Sequence, residues 1–182
     1  MKLFKIYTVE DNVLHEKAKE VSFPISDETR NTIIDMVEYL KLSQDDEFAK
    51  EHNIRPGIGI AAPQIGISER FFAVYMDDKD KHYEYGLVNP KILSSSVKKA
   101  YLPSGEGCLS VPKDVPGYVY RYYKITIEGY DVLTDKVVRL RLVGYPAICF
   151  QHEYDHLDGI VYTDKINKKD PFYVDPDAIA IE

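Results

Sequence analysis

The sequence is poor in cysteine, in long apolar runs and in positive charge. Two cysteines among 182 residues cannot form a disulfide framework, which favours a reducing compartment, so we expect a cytoplasmic protein. No apolar run approaches the ~20 residues that cross a bilayer, and no secretory signal is visible, so we expect no membrane partner. The formal net charge of −7 argues against direct recognition of nucleic acids, which requires a surplus of lysine and arginine.

Length and composition predict a single domain over residues 1–182. The chain has the size of one ordinary domain of ~100–200 residues. Hydrophobic residues make up 45% of it, which is enough to build a core. No internal repeat or low-complexity segment divides the sequence.

Strand-like patterns outnumber helical ones. Residues 118–130 and 137–143 alternate between apolar and polar positions, and we expect them to pair across a turn near Thr134. Shorter strands are predicted over residues 70–76, 85–89 and 91–93, with a possible edge strand over 178–181.

Two segments have helical spacing. Residues 27–42 carry apolar side chains on one face behind a cap at Ser26 or the following aspartate, and residues 146–157 begin with proline and stop at Gly159. Residues 45–53 are charged and mixed, and we interpret them as a helix end or an exposed loop. The expected fold class is α+β, with mixed or antiparallel β-sheets packed around a central helix.

The most informative motif is His152-Glu153-Tyr154-Asp155-His156. On a helix, His152 and His156 lie one turn apart on the same face, so their imidazoles can bind one metal ion. Glu153 can then take a proton from a water that the metal activates. The H-E-x-x-H spacing is typical of metal-assisted hydrolysis, although the bare pattern also arises by chance.

A catalytic site of this kind usually has three protein ligands and one open position, so a third ligand must be found. Downstream, the position that would complete a longer histidine motif is Tyr162, and Glu182 is poorly placed for a rigid ligand. Cys149 would have to bind from the same helix, and we interpret it as a pocket wall. Cys108 lies in a glycine-rich turn and becomes a candidate, although a lone cysteine is more often a small buried hydrophobe.

The helix face that carries the histidines is otherwise apolar. Tyr145, Ile148 and Cys149 share it, so the open metal position should face an apolar slot. Such a slot suits a substrate with an apolar side chain beside the scissile bond.

Residues 57–66 form an apolar stretch bounded by glycines. A nucleotide-binding role is disfavoured because no third glycine follows at the required spacing. The stretch is either a bent strand packed closely on its neighbour, or a turn from which the Gln64 amide donates to a developing oxyanion.

Two other functions compete with the hydrolysis of a small amide. A metallopeptidase would use the same helix to cleave peptide bonds, but such enzymes usually draw the third ligand from downstream. A structural metal site in a binding module would need a fourth ligand, for which Cys149 is the obvious candidate, and Glu153 would have no role.

Three segments together closely resemble the motifs of peptide deformylases: residues 57–64 (GIGIAAPQ), 106–110 (EGCLS) and 151–159 (QHEYDHLDG). The resemblance spans about residues 20–165 and implies a deformylase-like metallohydrolase. This family removes the N-formyl group from formylmethionine at the start of nascent polypeptides and releases formate. The partners implied are therefore N-formylmethionyl nascent peptides.

By this resemblance, Cys108, His152 and His156 bind one divalent metal ion. Fe²⁺ is the expected physiological metal, and Zn²⁺ or Ni²⁺ can occupy the site. Glu153 acts as general base and then acid, while Gln64 and the backbone N–H of Leu109 form the oxyanion hole. The implied substrate-binding residues are Ile58, Gly59, Glu106, Gly107, Tyr145, Ile148 and Cys149.

The long stretch between Ile34 and Gly57 and the strand-like tail resemble the Gram-positive type II subgroup. The other major bacterial type ends in a long helix through which some relatives dock on the ribosome. We expect at most a transient ribosome contact here, without such a helix.

Overall fold

The structure is a computed structural model that describes residues 2–182. It contains eight strands: β1 Gly59–Ala61, β2 Phe71–Asp78, β3 Lys81–Ser95, β4 Lys99–Tyr101, β5 Arg121–Tyr122, β6 Lys124–Asp131, β7 Lys136–Val143 and β8 Ile179–Ala180. Five strands form an antiparallel sheet in the order β1-β2-β3-β6-β7. The other three form a small sheet in the order β5-β4-β8, in which β8 runs parallel to β4.

Three α-helices accompany the sheets: α1 Asp27–Ser43, α2 Asp46–His52 and α3 Tyr145–Leu157. The expected cap of α1 is present, since the Ser26 side chain accepts a hydrogen bond from the Thr29 N–H at 3.1 Å. Among residues 2–182, no helix combines the length and the apolarity needed to cross a bilayer.

Helices α1 and α3 cover opposite faces of the five-stranded sheet. Because successive side chains of a strand point to opposite faces, Phe71 and Ala73 of β2 pack towards α1, whereas Phe72 and Val74 pack towards α3. The prediction of an α+β fold with mixed or antiparallel sheets is confirmed. Because the apolar side of α3 is buried against the sheet, only the remaining faces of this helix can contribute side chains to a functional site.

Close packing determines where α3 stops. Gly159 has a φ of 71°, and a Cβ there would lie 2.6 Å from the His15 backbone carbon. The second residue after the helix must therefore be glycine, in agreement with the stop predicted at Gly159.

The interpretation of residues 45–53 as a helix end or exposed loop is wrong. They form the separate helix α2, because the Asp45 carboxylate accepts a hydrogen bond from the Phe48 N–H at 2.9 Å and caps a new helix. The Phe48 and His52 rings, one helical turn apart, stack with their centroids 4.0 Å from each other and stabilise one side of the helix. Asn53 then closes the helix in the left-handed conformation.

Two strand predictions differ from the structure in their boundaries. Residues 118–130 do not form one strand, because the chain leaves the small sheet after β5 and enters the large sheet at β6. Residues 85–89 and 91–93 belong to the single strand β3, which passes through two register shifts instead of a loop.

Candidate active site

The two histidines of α3 meet Cys108, which lies in the loop between β4 and β5. One ligand atom from each of Cys108, His152 and His156 lies within 4.8 Å of the other two. The Cys108 Sγ is 3.4 Å from the His156 Nε2. Among residues 2–182, no fourth histidine, cysteine or carboxylate joins this cluster. One thiol and two imidazoles form a donor set that suits Fe²⁺, Zn²⁺ or Ni²⁺ and leaves a coordination position open.

Tyr162 and Cys149, which were also considered for the third ligand position, lie elsewhere in the site. Tyr162 stacks its ring on that of His152, with centroids 6.0 Å apart, and its hydroxyl accepts a hydrogen bond from the Val115 N–H. Cys149 is buried in the wall of the pocket. The structure thus brings together the ligand set that the resemblance implies.

A buried ion network orients the first histidine. The Nδ1 of His152 lies 2.8 Å from Glu106 Oε1, and Arg121 donates two hydrogen bonds to the Glu106 carboxylate at 2.8 and 2.9 Å. Burial raises the pKa of Glu106, but the His152 hydrogen bond and the Arg121 charge outweigh it and lower this pKa to about 2. Glu106 therefore stays ionised and accepts a hydrogen bond from the Nδ1–H, so that Nε2 is the atom free for a metal.

His156 is suited to metal binding for a different reason. It is fully buried, and desolvation is the main reason that its pKa lies well below the usual value. The ring therefore remains neutral, which is the form that binds metals.

Glu153 is a buried carboxylate with an oxygen that no protein group satisfies. Its side chain is 5% exposed, and Oε2 has no hydrogen-bond partner among the described residues. Burial raises its pKa to about 7. A carboxylate with this pKa can both accept and return a proton near neutral pH.

Gly59 in β1 makes room for Glu153. A Cβ at Gly59 would lie 2.6 Å from Glu153 Oε1 and 2.8 Å from its Cδ and Cγ. Real Cβ atoms do not approach other atoms so closely. The position of the Glu153 carboxylate therefore depends on the lack of a side chain at Gly59.

Gln64 follows β1 in a short 3₁₀ turn and is 1% exposed. Its Oε1 accepts a hydrogen bond from the Ala61 N–H at 2.9 Å, which fixes the amide so that Nε2 points to the cluster. Nε2 lies 3.2 Å from Ser110 Oγ and 3.5 Å from Cys108 Sγ. The Leu109 N–H makes no backbone hydrogen bond among the described residues and adjoins the same cavity.

A cavity of about 540 Å³ opens over these groups. All the substrate-binding residues that the resemblance implies line it: Ile58, Gly59, Glu106, Gly107, Tyr145, Ile148 and Cys149. Glu106 differs from the others in that its carboxylate is engaged with His152 and Arg121. Strand β1 forms one edge of the large sheet, so its outer side can pair with an extended peptide.

Three polar residues that support the site were not predicted from the sequence. Arg121 and Asp155 belong to the buried ion network, with Arg121 Nη1 2.8 Å from Asp155 Oδ2, and Ser110 contacts the Gln64 amide. Asp155 and Ser110 lie inside the recognised motifs and could have been considered there. Arg121 lies in a tyrosine-rich strand, and no local pattern indicates its role.

Sequence comparisons agree with the geometry. The model of the polypeptide deformylase family matches residues 3–172. Peptide deformylase 2 of Bacillus anthracis is 52% identical over 163 residues, which cover 89% of this chain and 88% of the relative. The peptide deformylase of Staphylococcus epidermidis is 50% identical over 170 residues, which cover 92% of each chain.

Solved structures give the same result. The crystal structure of peptide deformylase from Thermotoga maritima is similar with a TM-score of 0.72 at 30% identity, covering 92% of this chain and 99% of that one. The enzyme from Ehrlichia chaffeensis gives a TM-score of 0.76 at 27% identity, with coverages of 93% and 91%. The chain therefore belongs to the polypeptide deformylase family, enzymes that remove the N-formyl group from nascent peptides.

Proposed function

We propose that this protein hydrolyses the formyl amide of N-formylmethionyl peptides, with Glu153 as the group that moves the proton. The observation that carries the proposal is the unsatisfied Glu153 Oε2, buried beside the cluster of Cys108, His152 and His156. A buried acceptor without a partner is costly to leave unpaired. It is explained if a water or substrate group is its partner during the reaction.

Cys108, His152 and His156 would hold one divalent cation, for which we propose Fe²⁺, with Zn²⁺ or Ni²⁺ as substitutes. When bound, the cation supplies Lewis acidity, which polarises the formyl carbonyl and acidifies a water. These three protein donors would leave room for a water or substrate ligand from the adjoining cavity.

The protein's own groups then carry the proton and the charge. Glu153 takes a proton from the attacking water as the new C–O bond forms on the formyl carbon. The negative charge that develops on the formyl oxygen receives hydrogen bonds from Gln64 Nε2 and from the Leu109 N–H. Glu153 passes its proton to the amine nitrogen as the C–N bond breaks, which yields formate and a free N-terminus.

The pocket wall selects the formylated residue. Tyr145, Ile148 and Cys149 give the cavity an apolar side next to the cluster, which fits the methionine side chain. Gly59 in edge strand β1 offers its backbone to the peptide that follows.

One assay tests this function against cleavage of internal peptide bonds by a metallopeptidase. The protein would be purified without oxygen, its iron, zinc and nickel measured, and formate release followed with formyl-Met-Ala-Ser and the acetylated peptide. We expect formate from the formylated peptide only. Cleavage of internal bonds without formate would contradict the proposal.

Because formylated chains are made on ribosomes, we further propose a cytoplasmic location and a transient ribosome contact. Between α3 and Glu182 the structure has a 3₁₀ turn, Tyr162–Lys165, and β8, so residues 158–182 offer no long helix for this contact. Co-sedimentation with purified ribosomes tests it, and a protein that never pellets with them would exclude it.

Replacing Gln64 with leucine should lower kcat by roughly 10²–10³-fold, the usual effect of losing one oxyanion donor. The metal content should change little, because Gln64 is not a ligand. Steady-state formate release measures kcat, and Ser110→Ala, which removes only a contact of the Gln64 amide, is the matched control. Equal losses in both variants would argue that Gln64 acts through Ser110 and not on the substrate.

The activity should fall as the pH decreases below neutrality. Burial raises the pKa of Glu153 to about 7, and only the deprotonated carboxylate can accept the proton of the attacking water. A bound cation lowers this pKa, so the acidic limb of kcat/KM should lie at or below pH 7. A pH profile of the metal-loaded enzyme between pH 4 and 9 checks this, and a limb above pH 8 would contradict it.

A further inference from the structure

Arg121 is a buried arginine that contacts the candidate metal site only through other side chains. It is 3% exposed and donates three charged hydrogen bonds. Nε and Nη2 bind the two oxygens of Glu106 at 2.8 and 2.9 Å, and Nη1 binds Asp155 at 2.8 Å. This is the two-pronged geometry in which a guanidinium holds a carboxylate in one orientation.

The groups that Arg121 holds belong to the two segments that supply the metal ligands. Glu106 lies two residues before Cys108, and Asp155 lies on α3 between His152 and His156. Glu106 Oε1, which accepts from Arg121 Nη2, is also the atom 2.8 Å from His152 Nδ1. Arg121 therefore connects the loop that carries Cys108 to the helix that carries the histidines through a single charged group.

Both oxygens of Glu106 accept hydrogen bonds from the Arg121 guanidinium, and Oε1 also lies 2.8 Å from His152 Nδ1. With a metal ion on Nε2, the ring proton of His152 is on Nδ1, where this carboxylate accepts a hydrogen bond from it. Carboxylates that act on a metal-binding histidine in this way fix both its tautomer and its ring orientation.

We propose that Arg121 is a positioning residue for the metal ligand His152. It holds Glu106 in the orientation that sets the His152 tautomer, and it ties this arrangement to α3 through Asp155. The proposal rests on the proposed function in that the cluster of Cys108, His152 and His156 binds a metal ion.

A second buried arginine provides a matched control. Arg70 is 8% exposed, and its Nη1 donates to the Leu157 carbonyl at 2.8 Å and to Asp158 at 2.9 Å. It thus connects the start of β2, which follows it directly, to the end of α3, whereas Arg121 connects β5 to the middle of α3. It makes no hydrogen bond to Glu106 or to the three ligands.

The experiment compares Arg121→Met, Arg121→Lys and Arg70→Met with the unmodified protein. The affinity for Zn²⁺ would be measured by competition with a chromophoric chelator, and the His152 Nδ1 proton would be observed by NMR of the zinc-loaded, ¹⁵N-histidine-labelled protein. We expect Arg121→Met to bind zinc roughly 10–100-fold more weakly and to lose the hydrogen-bonded Nδ1 signal. Arg121→Lys should show a smaller change of the same kind, because lysine keeps the charge but not the fork.

Arg70→Met should lower the melting temperature while its zinc affinity and its His152 signal remain those of the unmodified protein. Equal zinc affinity in Arg121→Met and Arg70→Met would overturn the proposal, as would an unchanged Nδ1 signal in Arg121→Met. If Arg121→Met does not fold, Arg121→Lys and Glu106→Gln give the same two readouts, and unchanged values in both variants would again overturn it.

The readouts separate this proposal from the proposed function. Zinc affinity and the His152 signal do not depend on formate release. An unmodified protein that binds zinc with the expected signal but releases no formate would refute the function and leave the role of Arg121 intact.

Discussion

Replacing Glu153 with glutamine should lower formate release by about 10²–10⁴-fold, the usual contribution of a general acid–base group. Glutamine has nearly the same size but cannot take a proton from water or return one to the leaving amine. The cluster of Cys108, His152 and His156 is unchanged in this variant, so the bound metal should remain. Steady-state formate release and metal analysis of the same sample measure the two effects.

The same substitution should leave the metal-free protein at least as stable. Burial raises the pKa of Glu153 from 4.5 to about 7, so the folded state binds a proton more tightly than the unfolded chain. Stability is then lost as the pH rises from about 4.5 to 7, because the buried group must ionise. A neutral amide avoids this loss, and the melting temperature at pH 8 should not fall.

Glu128→Gln is a suitable control, since Glu128 lies on β6 in an exposed pair with Arg139. It should retain full activity. Near-normal turnover of metal-loaded Glu153→Gln would remove Glu153 from the mechanism, whatever the metal content.

The parts of the site that depend on local spacing could be predicted from the sequence. His152 and His156 are brought together by a single helix, whose start and stop are marked by Pro146 and Gly159. The fold class followed from alternating segments such as residues 137–143. In each case the determining interactions lie within a few residues of one another.

Cys108 illustrates the limit of spacing arguments. Chemistry showed that a third ligand was missing and made Cys108 a candidate, but its choice over a buried, inert thiol required the resemblance. In the structure a loop brings Cys108 to the helix, where it contacts His156, a residue 48 positions further along the sequence. No local sequence pattern predicts a contact between residues so far apart in the sequence.

Arg121 and α2 were not foreseen for two different reasons. The role of Arg121 depends on Glu106 and Asp155, which lie 15 and 34 residues away in sequence, so a local reading shows only a charged residue in a strand. Helix α2 is short and polar, and its roughly two turns depend on the Asp45 cap more than on an apolar face.

Gly59 is the position where one methyl group should have a large effect. Its absent side chain defines the space for Glu153, since a Cβ would lie 2.6 Å from Oε1. In Gly59→Ala, either the Glu153 side chain or strand β1 must shift by a few tenths of an ångström or more. A displacement approaching 1 Å at a catalytic group can cost ~10²-fold in rate, and we expect a loss of that order in kcat.

Gly57→Ala is the matched control, because its added Cβ meets the end of the Leu109 side chain at 3.1 Å, and that side chain can rotate away. Formate release should fall much less in Gly57→Ala than in Gly59→Ala, with both variants folded and metal-loaded. If the two alanines had the same small effect, the carboxylate would tolerate displacement. The chemistry would then depend on the proton-accepting group of Glu153 but not on its exact position against β1.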